Sequence, residues 1–351
     1  MINISRTIYF NKMYSISVVT YNILSSKYGN KQTFPKCPKE YIIPDHRINQ
    51  IIMDLRDMIS DKFIILLQEV CYEFRSKLEV LFSKYDYTFI ATNYGHPGSG
   101  YMGVGIAFPN YLKVERCQFE RMGDTYAKCD LVIGDEFYNT VTYMQDIWWR
   151  LGLSENPYAR VNNHYDNVLR KSNNIQILLE LSRDDVSFVV STYHAPCKFW
   201  DQKVMLMVNI LTVRNLQQFS GELPYIFGGD FNNKPDNDFY KIVTGIYKCI
   251  NDTFKDGVSA YPKSILDYFE KNTITPIRSV MFEKHGKEPE FTCWSEIGKR
   301  MTEFKDTIDY IFVSEHWIIV DASLSPDITG SVPSSEHSSD HLKLSTTLYS
   351  Q

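Results

Sequence analysis

Leu223-Pro224-Tyr225-Ile226-Phe227-Gly228-Gly229-Asp230-Phe231-Asn232-Asn233 is the stretch from which the fold is read. An apolar run of strand length meets two glycines, which free the backbone for a tight turn at a strand end. Asp230 and Asn232 then project from the rim with one residue between them. A carboxylate and an amide so placed can share one phosphate or one water. Alone, the pattern is equally that of an ordinary turn, where Asp and Asn after glycine are common.

Four other stretches carry polar groups at strand ends. Val18-Val19-Thr20-Tyr21-Asn22-Ile23-Leu24 is a strand with Asn22 at its end, and Phe63-Ile64-Ile65-Leu66-Leu67-Gln68-Glu69-Val70 is a buried strand ending in Glu69. Asp306-Thr307-Ile308-Asp309-Tyr310-Ile311-Phe312-Val313 sets Asp309 among apolar residues, and Ser338-Ser339-Asp340-His341 closes a Ser/Pro-rich loop before the last strand. In this order the five motifs resemble the endonuclease/exonuclease/phosphatase superfamily, whose relatives include deoxyribonuclease I, abasic-site endonucleases and inositol phosphatases. The resemblance implies an α/β four-layer sandwich, two β-sheets face to face flanked by helices. Periodicity alone gives only a mixed α/β domain.

The bulk composition fits a globular chain: 351 residues, 44% hydrophobic and 23% charged. No apolar run reaches the roughly 20 residues that span a bilayer, so no membrane partner is expected. Residues 1–14 read as an N-terminal extension without the apolar core of a secretory signal, ahead of a single domain over 15–351. Seven cysteines without a CxxC pair suggest neither a disulfide framework nor a zinc site, and place the chain in a reducing, cytoplasmic setting. A net charge of −5 argues against non-specific coating of nucleic acid. It is compatible with an acidic cleft neutralised by metal ions.

Helical spacing of Ile48, Ile51, Ile52, Leu55, Met58 and Ile59 predicts a helix from Asp45 to Ile59, with Asp45 as its cap. A second helix is predicted over Lys203–Phe219, and β-pairs at 86–93 with 103–108 and at 174–181 with 186–193. An insertion around 121–170 interleaves Trp148, Trp149, Tyr158 and Tyr165 with Arg150, Arg160 and Arg170. Trp149 and Arg160 are candidates for stacking bases and binding phosphates; packed aromatics with solvated arginines are the simpler alternative.

Phosphodiester hydrolysis needs charge stabilisation on phosphoryl oxygens, an activated water and help for the leaving oxygen. Glu69 is the candidate primary metal ligand, because a lone carboxylate at a buried strand end is otherwise costly. Asn22 can hold the same metal directly or through a water. Oxygen donors of this kind suit Mg²⁺, with Mn²⁺ as a substitute. Asp309 can accept the second ring proton of His341 and so fix its tautomer. The resemblance implies that His341 contacts the scissile phosphate and that Asp340 serves the metal. Asp230 would orient or deprotonate the attacking water, or hold a second metal, and Asn232 would donate to a phosphoryl oxygen. His194, in Ser191-Thr192-Tyr193-His194-Ala195-Pro196-Cys197, matches a family histidine, although relatives have Asn-Thr-His-Leu without the inserted Tyr193. Asn174 can also reach the cleft.

Within the superfamily, Cys37-Pro38 ahead of Asp45-His46-Arg47-Ile48, the Phe304–Phe312 stretch and Pro333–His341 are similar to the deadenylase, nocturnin and angel branch. That likeness implies a Mg²⁺-dependent phosphodiesterase acting on RNA, a 3′-exonuclease on single-stranded ends. The alternatives are a phosphodiesterase or phosphatase for 2′,5′-oligonucleotides or small nucleotides, and a catalytically silent nucleic-acid-binding module. No leucine-rich repeat precedes the domain, so scaffold docking of that kind is not expected.

Overall fold

The computed structural model describes residues 14–128, 168–184, 186–247 and 273–350. Nearly all of the expected extension and most of the 121–170 segment, including Trp149 and Arg160, lie outside these residues.

Strands β1 (Ser15–Asn22), β2 (Ile64–Gln68), β3 (Tyr87–Ala91), β4 (Val104–Pro109), β13 (Trp317–Ser325) and β14 (Lys343–Ser350) form one sheet, ordered β13-β14-β1-β2-β4-β3. Strands β5 (Lys113–Arg121), β6 (Ile175–Arg183), β7 (Val186–His194), β8 (Tyr225–Asp230), β9 (Arg278–Ser279) and β12 (Asp309–Val313) form the second, ordered β5-β6-β7-β8-β12-β9. A ribbon of β10 (Cys293–Ile297) and β11 (Thr302–Asp306) stands apart. Each sheet contains one parallel pair, β1 with β2 and β7 with β8. Parallel neighbours need a crossover, supplied here by α1 (Pro44–Ser60) and by α4 (Gln202–Ser220).

Side-chain alternation builds the layers. Ile16 and Val18 of β1, Ile64 and Leu66 of β2, Ile177 and Leu179 of β6, and Ile226 of β8 pack together between the sheets. The opposite faces turn outward: Val19, Tyr21, Ile65 and Leu67 meet α1 and α2 (Tyr72–Lys84). Tyr225, Phe227, Tyr310 and Phe312 meet α3 (Met122–Lys128), α4 and α5 (Asp238–Val243). The result is the four-layer sandwich expected from the resemblance. Among the described residues no helix is long and apolar enough to cross a membrane.

Three local readings need correction. Gly228 and Gly229 do not turn the chain; both lie within β8, and neither has a positive φ. They allow close approach instead. A Cβ on Gly228 would meet Leu66 Cδ1 at 2.6 Å and Thr20 Cβ at 3.3 Å, both on the facing sheet. Gly228→Ala should therefore overpack the inter-sheet core and destabilise by about 1–3 kcal/mol, measured by denaturant unfolding. A neutral result would show that the sheets separate freely there. Second, α1 begins at Pro44 behind Ile43, which makes no side-chain cap; Asp45 lies in the first turn, its carboxylate on Lys77. Proline at the first helical position sets the start, since its missing N–H is not needed there. Third, Asp306 ends β11, and β12 begins only at Asp309.

Candidate active site

The parallel pairs of both sheets run toward the same rim. In the second sheet His194 of β7 stands opposite Asp230 of β8, which stands opposite Asp309 of β12. All three share the inward parity of Val190, Ile226 and Ile311. In the first sheet Asn22 pairs with Gln68, again on the inward parity. Tyr193 is buried in the outer core, and alternation along β7 then gives His194 the inward face. Glu69 directly follows β2 with φ 57°, and Asn232 has φ 48°. Asn tolerates this left-handed region, whereas for Glu it is uncommon and marks a constrained site.

The side chains converge. Asn22 Nδ2–H donates to Asp230 Oδ2 at 3.0 Å and to Glu69 Oε1 at 3.4 Å, and Asn22 Oδ1 accepts from Leu24 N–H at 3.0 Å. Glu69 Oε2 accepts from Ser25 N–H at 2.7 Å. His341 Nδ1 lies 2.8 Å from Asp309 Oδ2, and its Nε2 lies 3.8 Å from Asp230 Oδ2. His194 Nε2 lies 3.5 Å from Asp230 and 4.0 Å from Glu69. Asp230 Oδ1 accepts from Asn232 N–H at 2.9 Å, while the Asn232 amide donates to Ala195 O at 2.9 Å. Asn174 donates to His194 O at 2.7 Å. Glu69, Asn174, His194 and Asp340 line one cavity of about 1330 Å³, beside Tyr28, Phe34 and Lys198.

Burial and the neighbouring Asp309 charge raise the Asp230 carboxyl to about 6. Burial likewise raises Asp340. Burial alone would lower His341, but the Asp309 carboxylate, with Cys293 and Asp340 behind it, holds the imidazole well above its ordinary value. The cleft thus pairs a carboxyl that ionises late with an imidazole that stays charged. Because the Asp230 folded value exceeds its unfolded one, its contribution favours folding at low pH and is lost as pH rises from about 4 through about 6. The melting temperature of metal-free Asp230→Asn, relative to wild type, should therefore improve between pH 4 and pH 7. A pH-independent difference would remove the strained carboxylate from the account.

Several residues here were not assigned from sequence. Thr292 Oγ1–H donates to Asp309 Oδ2 at 2.6 Å and accepts from the N–H groups of Ile308 and Asp309. Arg47 is fully buried, donating to the carbonyls of Ile23 and Ser338, both at 2.7 Å, and so ties the loop after Asn22 to the loop before Asp340. Its signal was available: Arg47 precedes Ile51, Leu55 and Ile59 at four-residue steps on the buried face of α1. Cys293 lies beside His341, and burial pushes its thiol up to about 12.

Asp309 Oδ1 and Asp340 Oδ1 are shielded from solvent without a hydrogen-bond partner. Buried carboxylate oxygens in that condition are costly. Asp340 lines the same cavity as Glu69, and these two carboxylates offer oxygen donors of the kind that suit a hard divalent cation.

A sequence model described as Endonuclease/Exonuclease/phosphatase family matches residues 19–341. No curated protein matches the sequence. Among solved structures, the human Nocturnin catalytic domain with bound sulfate is 18% identical, with 97% of each chain covered and a TM-score of 0.61. ANGEL2, a 2′,3′-cyclic phosphatase in complex with adenosine-2′,3′-vanadate, is 16% identical with 96% of each chain covered and a TM-score of 0.67. D. rerio TDP2 complexed with a single strand DNA product is 10% identical, covering 95% of this chain and 98% of that one, at a TM-score of 0.56. At these identities the likeness is one of fold.

Proposed function

Because the chain belongs to the endonuclease/exonuclease/phosphatase family, we propose that it is a Mg²⁺-dependent phosphodiesterase that shortens single-stranded RNA from the 3′ end. The observation that carries this reading is the buried Asp309–His341 pair at 2.8 Å, aimed at Asp230 and adjoining the cavity lined by Glu69 and Asp340.

Glu69 and Asp340 would hold the metal. The Asn22 carbonyl oxygen is engaged by Leu24 N–H, so Asn22 serves by orienting Glu69 and Asp230, reaching a cation through a water. When bound, the cation supplies charge to the phosphoryl oxygens and the leaving oxygen. His341, fixed through Nδ1 by Asp309, presents Nε2–H and its positive charge to a phosphoryl oxygen. Asp230 takes the proton of the attacking water, a task suited to a carboxyl raised toward neutrality. Asn232 donates its remaining amide N–H, and His194, 3.5 Å from Asp230, assists the leaving oxygen. The cavity beside these groups offers room and aromatic walls for a terminal nucleotide, with Asn174 at its edge.

That same cavity favours a second reading, in which the substrate is a free small nucleotide rather than a chain end. ANGEL2, a 2′,3′-cyclic phosphatase with adenosine-2′,3′-vanadate bound, and TDP2, with a single strand DNA product bound, illustrate that one fold serves both small nucleotides and chains. End-labelled poly(A), mixed-sequence RNA, single-stranded DNA and 2′,5′-linked oligoadenylate, each with Mg²⁺ and with EDTA, separate the two. A Mg²⁺-dependent ladder shortened from the 3′ end supports exonuclease action. Cleavage confined to dinucleotides overturns it in favour of the small-nucleotide reading.

A further inference from the structure

Cys293, Asp340 and His341 each place one donor atom within 4.8 Å of the other two. The donors are a thiol sulfur, a carboxylate oxygen and an imidazole nitrogen. Cys293 and His341 are 3% and 5% exposed. Backbone contacts hold the two segments together: Cys293 and His341 form an antiparallel bridge, Trp294 N–H donates to Asp340 O at 3.2 Å, and Leu342 N–H donates to Thr292 O at 2.8 Å. The donor positions are therefore fixed before any ion arrives. Asp340 Oδ1 adds an independent sign, being shielded and without a partner.

Mixed sulfur, nitrogen and oxygen donors select zinc and its thiophilic neighbours over Mg²⁺, which prefers oxygen alone. Three protein donors leave a fourth position open. We propose that Cys293, Asp340 and His341 form an inhibitory site for a thiophilic divalent cation such as Zn²⁺, separate from the oxygen site proposed for Mg²⁺ but sharing Asp340 with it. On binding, the Cys293 S–H proton and the proton on the His341 nitrogen that takes the ion both leave to solvent, two protons per ion, and the sulfur–metal and nitrogen–metal bonds form in their place. No oxidant or reductant is involved.

Inhibition follows from the use of the imidazole, and this consequence rests on the catalytic reading above. An ion on Nε2 takes the nitrogen assigned to the phosphate; an ion on Nδ1 displaces the Asp309 contact. Either way the charged, oriented imidazolium is lost. Asp340 is withdrawn from the oxygen donors at the same time.

Co²⁺ is the probe for the site, since a bound thiolate gives a sulfur-to-cobalt charge-transfer band. Wild-type protein titrated with Co²⁺ should show that band and release two protons per ion, and Zn²⁺ added afterwards should abolish the band with no further proton release or uptake. In parallel, Zn²⁺ should inhibit cleavage of labelled RNA at saturating Mg²⁺, reversibly on chelation. Cys293→Ser and Cys293→Ala, each compared with its own zinc-free rate, should lose the band and the zinc sensitivity. Cys197→Ser should keep both, which excludes the exposed thiol at the cavity mouth. Melting curves identify a variant that fails to fold, and the wild-type titration remains decisive if both Cys293 variants do. Absence of the band in wild type, or its persistence in folded Cys293→Ser, overturns the site. A band without inhibition overturns the inhibitory role and, with it, the assigned task of His341. A band on a protein that cleaves none of the phosphodiesters supports the site while overturning the catalytic reading.

Discussion

Asp309→Asn is expected to lower turnover by about two to four orders of magnitude, on the order of 3–5 kcal/mol, with little change in substrate affinity. The local hydrogen bonds explain why charge is the decisive quantity. Thr292 Oγ accepts two backbone N–H groups, so its own proton goes to Asp309 Oδ2, which also faces His341 Nδ1. An asparagine can place its carbonyl oxygen at that position and its NH₂ at the Oδ1 position, which has no partner in the wild type. The imidazole then keeps an acceptor but loses the anion that holds it charged. With the anion gone, the His341 value falls, so activity that requires imidazolium is lost at a lower pH as pH rises. The alkaline limb of the turnover profile should move accordingly. His341→Ala should cost at least as much, and the double mutant little more than His341→Ala alone, because Asp309 acts through that ring. Additive losses, or an unmoved alkaline limb, would separate the two residues and end the pairing.

What was legible in the sequence was whatever follows from alternation along strands. Asn22, Glu69, Asp230, Asp309 and the Asp340-His341 pair each sit at or next to a strand end, and strand parity carries the first, third and fourth into the inter-sheet space. The same parity resolves His194: two positions past Thr192, it shares that residue's inward face, with Tyr193 between them turned to the outer core. What was not legible depends on the facing layer. The role of Gly228 is set by Leu66 and Thr20 in the other sheet, which no local pattern reveals. Thr292 and Cys293 enter the site from the β10 edge with no charge or repeat to mark them. The start of α1 turned on proline geometry rather than on the more familiar acidic cap.

Glu69→Gln should abolish Mg²⁺-dependent cleavage while the fold persists. Glu69 is held by Ser25 N–H on one oxygen and Asn22 Nδ2–H on the other, so both oxygens act as acceptors. A glutamine keeps one of these contacts and turns an NH₂ toward the other donor, at a cost of about 1–2 kcal/mol. Against that, the substitution removes a negative charge that acts on the buried Asp340 carboxyl. The two effects oppose each other, so the melting temperature of the metal-free variant should lie close to or above that of the wild type. The metal response decides the assignment. A ligand bound only by the folded state stabilises it by RT ln(1 + [L]/Kd), about 2.7 kcal/mol at a hundredfold excess over Kd. Wild-type protein should therefore melt at higher temperature as Mg²⁺ is added, with Mn²⁺ acting similarly, and Glu69→Gln should respond far less. Near-normal turnover in the variant, or an unchanged Mg²⁺ shift, would move the metal away from Glu69 and toward the Asp230, Asp309 and His341 group, whose donor atoms also lie within 4.8 Å of one another.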